Sequence, residues 1–200
     1  MNKLLAIAGA LLILFVIGYG AHTLSQRERT PASVADARET DTFSSAELGL
    51  SFTYPIGPEG YVLQEAPIND PANNLVQAFM LTRTEDAIRQ PPQGGEGPPV
   101  IAIYVFANPQ KQRPQAWADN HIQYSNIDLS MGEVREAVIG GANAIRYRAD
   151  GLYASEVTVV AHGGHMYLIT GQFISEDSDI RRDYEPILQS VRFVPAPDQQ

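Results

Sequence analysis

Cysteine is absent from the 200-residue sequence, and this absence excludes several kinds of chemistry at once. Without a thiol the chain has no disulfide, no thiolate metal ligand, no cysteine nucleophile and no cysteine that could carry a lipid anchor. Basic residues are also scarce, since 14 Lys and Arg stand against 23 Asp and Glu and are scattered singly or in pairs. A nucleic-acid surface needs clustered cations that neutralise phosphates, so we expect no nucleic-acid partner.

Motifs for nucleophilic or phosphate chemistry are missing as well. The chain lacks G-x-S-x-G, and the glycine-rich stretch 94–97 lacks the lysine and the Ser or Thr of a phosphate-binding loop. We therefore predict no catalytic residue, no metal and no cofactor. Paired carboxylates meet in space rather than in sequence, so a carboxylate enzyme stays open at this point.

The N-terminal region contains one long hydrophobic run. After a short tail (1–3), residues 4–21 carry no charge and are just long enough to cross a bilayer as a helix. We predict a transmembrane anchor or uncleaved signal there, with a cleaved signal peptide as the alternative. A flexible linker (22–42) follows, then one folded domain (43–194) and a disordered tail (195–200). The expected location is the cytoplasmic membrane, single-pass, with the domain on the extracytoplasmic side.

The folded part contains patterns typical of strands. Alternating or continuous apolar runs bounded by glycine and proline predict a sheet, whose later strands form consecutive hairpins at Gly140-Gly141 and Gly163-Gly164. The predicted strands cover residues 50–54, 61–64, 74–82, 100–106, 134–139, 144–148, 154–161, 165–172 and 191–194.

Two helices are expected to cover this sheet. One begins at Pro114, whose missing amide costs nothing in a first turn, and extends over 114–124. The other has apolar residues at helical spacing over 180–191, although Pro186 should kink or divide it. A proline-rich loop (85–99) has four prolines and three glycines and should form neither helix nor strand. It is long enough to be either functional or disordered.

Three short segments resemble the PsbP superfamily, which is named for an extrinsic subunit of photosystem II. They are LGLSFTYP at 48–55 followed by Gly60-Tyr61, IGGANA at 139–144, and ILQSVRF at 187–193. A tryptophan often stands in the family where this chain has Tyr61. The resemblance implies an α+β fold, an α/β/α sandwich around a mainly antiparallel sheet, used as an accessory or binding module without chemistry. The matching positions are core and turn positions, so they imply no functional residue.

Two surfaces are candidates for contact with a protein partner. Trp117, His121 and Tyr124 share one side of the first predicted helix and would present an aromatic surface, unless Trp117 is a core residue. Arg89 and Glu96 lie in the proline-rich loop. The sequence thus predicts a membrane-anchored, extracytoplasmic binding or assembly module without catalysis.

Two alternatives remain from the sequence. His162 and His165 flank a tight turn and would serve a metal-dependent, hydrolase-like enzyme, although zinc usually needs three or four protein ligands and no third is evident. Exposed imidazoles at a hairpin end are the simpler interpretation. The second alternative is a structural envelope protein.

Overall fold

Seven antiparallel strands form the main sheet of the computed structural model, which describes residues 38–66, 73–89 and 97–194. Their spatial order is β3-β4-β5-β9-β8-β7-β6, so β5 and β9 lie side by side at the centre although β5 comes far earlier in the chain. The strands are β3 (Tyr61–Ala66), β4 (Leu75–Arg83), β5 (Val100–Ala107), β6 (Ser130–Ile139), β7 (Ala142–Asp150), β8 (Ala154–His162) and β9 (His165–Phe173). Each predicted strand is present, and most are longer than predicted by one to four residues.

A second sheet of three strands joins the beginning and the end of the domain. It consists of β1 (Thr40–Ser45), β2 (Leu50–Pro55) and β10 (Arg192–Phe193), in the order β1-β2-β10. Strand β1 was not predicted, and Thr40–Thr42 fall inside the stretch predicted as a linker. The strand forms because Phe43 lies opposite Phe52 and its ring packs 4.5 Å from the ring of Phe79.

Four α-helices and one 3-10 helix complete the described chain. They are α1 (Thr84–Ala87), α2 (Pro114–Asn120), α3 (Ile122–Ser125), a 3-10 turn (Ile127–Leu129) and α4 (Asp179–Ser190). Two predictions need correction. The proline-rich loop begins with a helical turn, and the single helix expected over 114–124 is interrupted at His121.

Helix α4 continues through Pro186, contrary to the division expected from the sequence. The Ser178 hydroxyl accepts a hydrogen bond from the Arg181 amide at its N-terminus, and Ile180, Tyr184, Ile187 and Leu188 are buried on one side. Packing of this apolar side stabilises the helix despite the missing amide at the proline.

The two faces of the seven-stranded sheet are covered differently. One face packs against α4 and the three-stranded sheet, and the other packs against α2 and α3. The fold is therefore mainly antiparallel sheet with helices on both sides, and one outer layer also contains strands. No helix in residues 38–66, 73–89 and 97–194 is long and apolar enough to span a bilayer. The predicted anchor at 4–21 lies outside the described residues.

Candidate functional site

Trp117 is part of the core, which corrects its assignment to a partner surface. Its side chain is 2% exposed and its ring lies 4.8 Å from the ring of Phe106. His121 stacks on the Trp117 ring, with the two rings 4.4 Å apart and 11° from parallel, and also lies 6.4 Å from the Phe106 ring. Because the buried ring of Trp117 in α2 packs against Phe106 in β5, it fastens α2 to the sheet and offers no surface to a partner.

His121 and Tyr124 are half-buried beside this tryptophan. The Nδ1 atom of His121 lies 2.9 Å from the carbonyl oxygen of Trp117, one turn back along the chain. The ring of Tyr124 meets the ring of Phe106 edge-on at 5.0 Å and lies 6.3 Å from the ring of Tyr104. Tyr124 therefore lies at the border between the part of this sheet face under α2 and α3 and the neighbouring part around Tyr104.

Two hydrogen bonds hold the C-terminal end of helix α3 in place. The buried Ser125 hydroxyl donates to the carbonyl of Ala118 at 2.8 Å, and the Tyr147 hydroxyl on β7 donates to the carbonyl of Ser125 at 2.7 Å. Asn126 then adopts a left-handed conformation, which ends α3. In the part of the chain that the structure describes, α1 alone among the helices borders the rest of this sheet face, through Asp86 and Ala87.

A groove of about 730 Å³ occupies this part of the sheet face, and we call it the sheet-face groove. Its volume lies within the usual range of ligand sites, roughly 300–1,000 Å³. It crosses the sheet from β3 to β7, and its polar lining consists mainly of neutral amides and hydroxyls. These belong to Gln64, Thr82, Tyr104, Asn126, Ser155 and Gln172.

The groove lining suits an uncharged polar surface such as a peptide backbone. Amide and hydroxyl side chains both donate and accept hydrogen bonds. Burial raises the pKa of Tyr104, so its hydroxyl stays protonated at neutral pH. Of the charged residues in the described lining, Arg89 and Asp86 face each other, with Nη1 and Oδ1 3.4 Å apart.

An apolar rim lies at one end of the groove, and it consists of Ile88, Leu152 and Ile174. Their exposed fractions are 82%, 66% and 78%. They follow the carboxyl ends of β4, β7 and β9, which point the same way because alternate strands of an antiparallel sheet share one direction. Leu152 also lines the groove, so exposed apolar side chains adjoin amides and hydroxyls at this end of the sheet.

The structure brings together only part of the predicted partner surface. Arg89 lines the groove and its side chain is 70% exposed, while Tyr124 borders the groove through Tyr104. Glu96 lies outside the described residues. Tyr104 and Gln172 were not predicted as site residues, because a strand pattern does not show which positions of separate strands lie side by side.

His162 and His165 oppose each other across the β8–β9 hairpin, whose turn residues Gly163 and Gly164 have φ of 57° and 84°. The ring of His162 stacks on Phe193 at 4.7 Å, and burial lowers the pKa of His165. Residues 38–66, 73–89 and 97–194 contain no group of three or more His, Asp or Glu arranged to hold a metal. The described part of the chain therefore offers this pair no third ligand.

The layers and strand order define an α+β domain with a PsbP-like fold. The solution structure of cyanobacterial PsbP (CyanoP) from Synechocystis sp. PCC 6803 is similar to this chain, with a TM-score of 0.53 at 9% sequence identity. The similarity covers 80% of this chain and 95% of that chain. No family model matches the sequence, and no curated protein matches it. The fold inferred from three short segments is confirmed.

Proposed function

We propose that this chain is a membrane-anchored, extracytoplasmic binding module without catalytic activity, and that it binds a protein partner at the sheet-face groove and the apolar rim. The observation that carries the proposal is the combination of these two features at one end of one sheet. Protein interfaces typically have a desolvated apolar part beside polar groups that supply hydrogen bonds.

The PsbP-like fold supports this proposal, because the resemblance implies an accessory or binding role. The uncharged run at 4–21 supports the anchor and the location. The groove itself favours binding over catalysis, since its described lining is dominated by neutral amides, hydroxyls and apolar side chains.

The position of the apolar rim indicates the side from which a partner would approach the domain. Burying Ile88, Leu152 and Ile174 would remove large apolar side chains from water, at about 1.5–3 kcal/mol for each one fully buried. The adjoining amides and hydroxyls would then fix the orientation of a polypeptide through directional hydrogen bonds. A partner that covers both features contacts loops that follow β4, β7 and β9.

Site-specific photo-cross-linking in cells of its own source tests the contact. A photoreactive amino acid is placed at Leu152 in the full chain, and the control carries it at Val138. The two positions are 66% and 68% exposed, but Val138 lies near the end of β6, at the opposite end of the sheet. We expect a discrete adduct from Leu152 and none from Val138.

The same experiment separates this function from its alternatives. Equal adducts from both positions, or none from either, would contradict binding at the rim. If no saturable partner is found, a structural envelope protein becomes the better description.

The proposed location is tested independently with single cysteines, because the natural chain has none. A cysteine in place of Val138, which is 68% exposed and lies outside the proposed contact, should react with a membrane-impermeant maleimide in intact cells. Labelling that requires lysis would place the domain inside and overturn the location without affecting the contact.

A further inference from the structure

Four arginines converge on a second cleft, on the α4 side of the sheet. The cleft measures about 520 Å³ and lies where β6 forms the free edge among the described strands. Arg135 comes from β6, Arg146 and Arg148 from β7, and Arg181 from α4. We call it the arginine cleft. Glu133, Glu136 and Glu156 line the same cleft, so its charge is mixed rather than purely basic.

The arginines are placed close together despite their mutual repulsion. Arg135 lies directly opposite Arg146 on neighbouring strands, and like charges in this position destabilise a sheet. Arg146 and Arg148 are two residues apart, so they share one face of β7. The pairing register of β6 against β7 shifts between Met131 and Arg135, and irregularities of this kind redirect nearby side chains.

Two of the guanidinium groups are held in fixed positions by an aromatic ring. The guanidinium carbons of Arg148 and Arg181 lie 5.0 and 5.5 Å from the centre of the Phe173 ring. The Nε atom of Arg148 is buried without a hydrogen-bond partner in the described part of the protein. Stacked arginines lose little freedom on binding an oxyanion, because their planar donors are already oriented.

The existing carboxylate partners leave room for an anion. Arg181 pairs with the cleft residue Glu156 at 3.1 Å, and because Glu156 is only 18% exposed this pair stays in place. Glu185 pairs with Arg146 at 2.6 Å and Glu176 pairs with Arg148, and these two glutamates are 41% and 61% exposed. Exposed ion pairs contribute only about 0–1 kcal/mol, so a ligand anion can replace them at small cost. Within residues 38–66, 73–89 and 97–194, Arg135 has no carboxylate partner.

We propose that the arginine cleft binds an oxyanion, namely the carboxylates or phosphate of an acidic ligand, with Arg135 as a direct donor. Guanidinium groups bind both chemistries through paired N–H donors. The site is independent of the sheet-face groove, since consecutive residues such as Ser155 and Glu156 point to opposite faces of the sheet.

Binding to the full-length chain in neutral detergent tests the proposal with two probes. One is inorganic phosphate, and the other is a blocked peptide with glutamate at alternate positions, which matches the two-residue spacing of Arg146 and Arg148. Arginine side-chain N–H signals are followed by NMR during each titration. Saturation by phosphate identifies a phosphate ligand, and saturation by the peptide alone identifies carboxylates.

The decisive variant is Arg135→Gln, because Arg135 is exposed and holds no ion pair whose loss would unfold the protein. We expect at least tenfold weaker binding in this variant and a loss of binding at high salt. Arg113→Gln is the control, since it removes the same charge from an exposed position outside the cleft. If both variants weaken binding equally, the binding depends only on the net charge of the protein and the proposal is wrong. The proposal is also wrong if binding of neither probe saturates.

Discussion

Arg38 and Asp183 form a two-point ion pair across 145 residues of sequence, with N–O distances of 2.7 and 2.9 Å. The carboxylate side chain of Asp183 is 1% exposed and also accepts a hydrogen bond from the Tyr61 hydroxyl at 3.0 Å. Arg38 lies two residues before β1, so this pair fastens the start of that strand to α4.

Replacing Arg38 with alanine should lower the free energy of unfolding by about 3 kcal/mol, because it leaves a buried carboxylate without its main cation. The measurement is urea denaturation at pH 7. Arg182→Ala is the control, since Arg182 is 58% exposed and lies 3.4 Å from the same carboxylate. Its loss should cost less than about 1 kcal/mol. Similar costs for the two variants would show that the burial of the pair does not matter.

The contribution of the Arg38–Asp183 pair to the stability of the fold should depend on pH. Burial alone would raise the pKa of Asp183, but the hydrogen bonds and charge of Arg38 hold it below the usual value. The stabilisation is therefore fully present above about pH 4 and is lost as the pH falls through the lower pKa of the folded state. The difference in unfolding free energy between the natural chain and Arg38→Ala should shrink between pH 5 and about pH 2. A constant difference over this interval would contradict the assignment.

Gly171 is required because α4 lies directly against β9. A Cβ atom added at Gly171 would lie 2.5 Å from Cδ2 of Tyr184, whose ring is fully buried and whose hydroxyl is fixed by Thr158. Gly171→Ala should therefore lower the free energy of unfolding by about 1–3 kcal/mol. At Gly151 the nearest atom would be 3.8 Å away, so Gly151→Ala should change it by less than about 0.5 kcal/mol. Thermal denaturation of both variants checks this contrast.

Trp117 should behave as a core residue in mutational tests. Trp117→Ala should lower the free energy of unfolding by about 3–5 kcal/mol, because it removes the buried ring that packs against Phe106 and His121. Ile122→Ala on the neighbouring helix should cost about 0.5 kcal/mol or less, since Ile122 is 48% exposed. If the Trp117→Ala protein is as stable as the natural chain but no longer cross-links to its partner, Trp117 belongs to the binding surface after all.

His165 should make stability pH-dependent near neutrality. Burial lowers its pKa, so below about pH 6.5 the unfolded chain binds a proton that the folded chain does not. Stability should fall as the pH decreases from 7.5 to 5.5, and His165→Gln should reduce that slope. Urea midpoints at three pH values measure it, and identical slopes for the two proteins would contradict the assignment.

The sequence predicted the strands well where the pattern was local. Leu50, Phe52 and Tyr54 alternate with small polar residues, and the structure has β2 there. Strand β1 escaped prediction because Phe43 is its single large apolar residue, and its pairing depends on contacts with β2 and Phe79. The break at His121 was missed for a similar reason, since no glycine or proline marks it.

The sites were less predictable because their residues come from distant parts of the chain. Tyr104 and Gln172 line one groove only because β5 and β9 are neighbours in the sheet. Arg146 and Arg148 show a two-residue spacing in the sequence, but the approach of Arg135 and Arg181 depends on the register of β6 and the position of α4.

The alternation of side chains along β7 and β8 has one more consequence. Ala149 and Ser155 line the groove, whereas their neighbours Arg148 and Glu156 line the arginine cleft. The two proposed ligands would therefore contact opposite faces of the same two strands. Because a one-residue register shift would turn every side chain of a strand to the opposite face, the two surfaces depend on the same strand register and would be lost together.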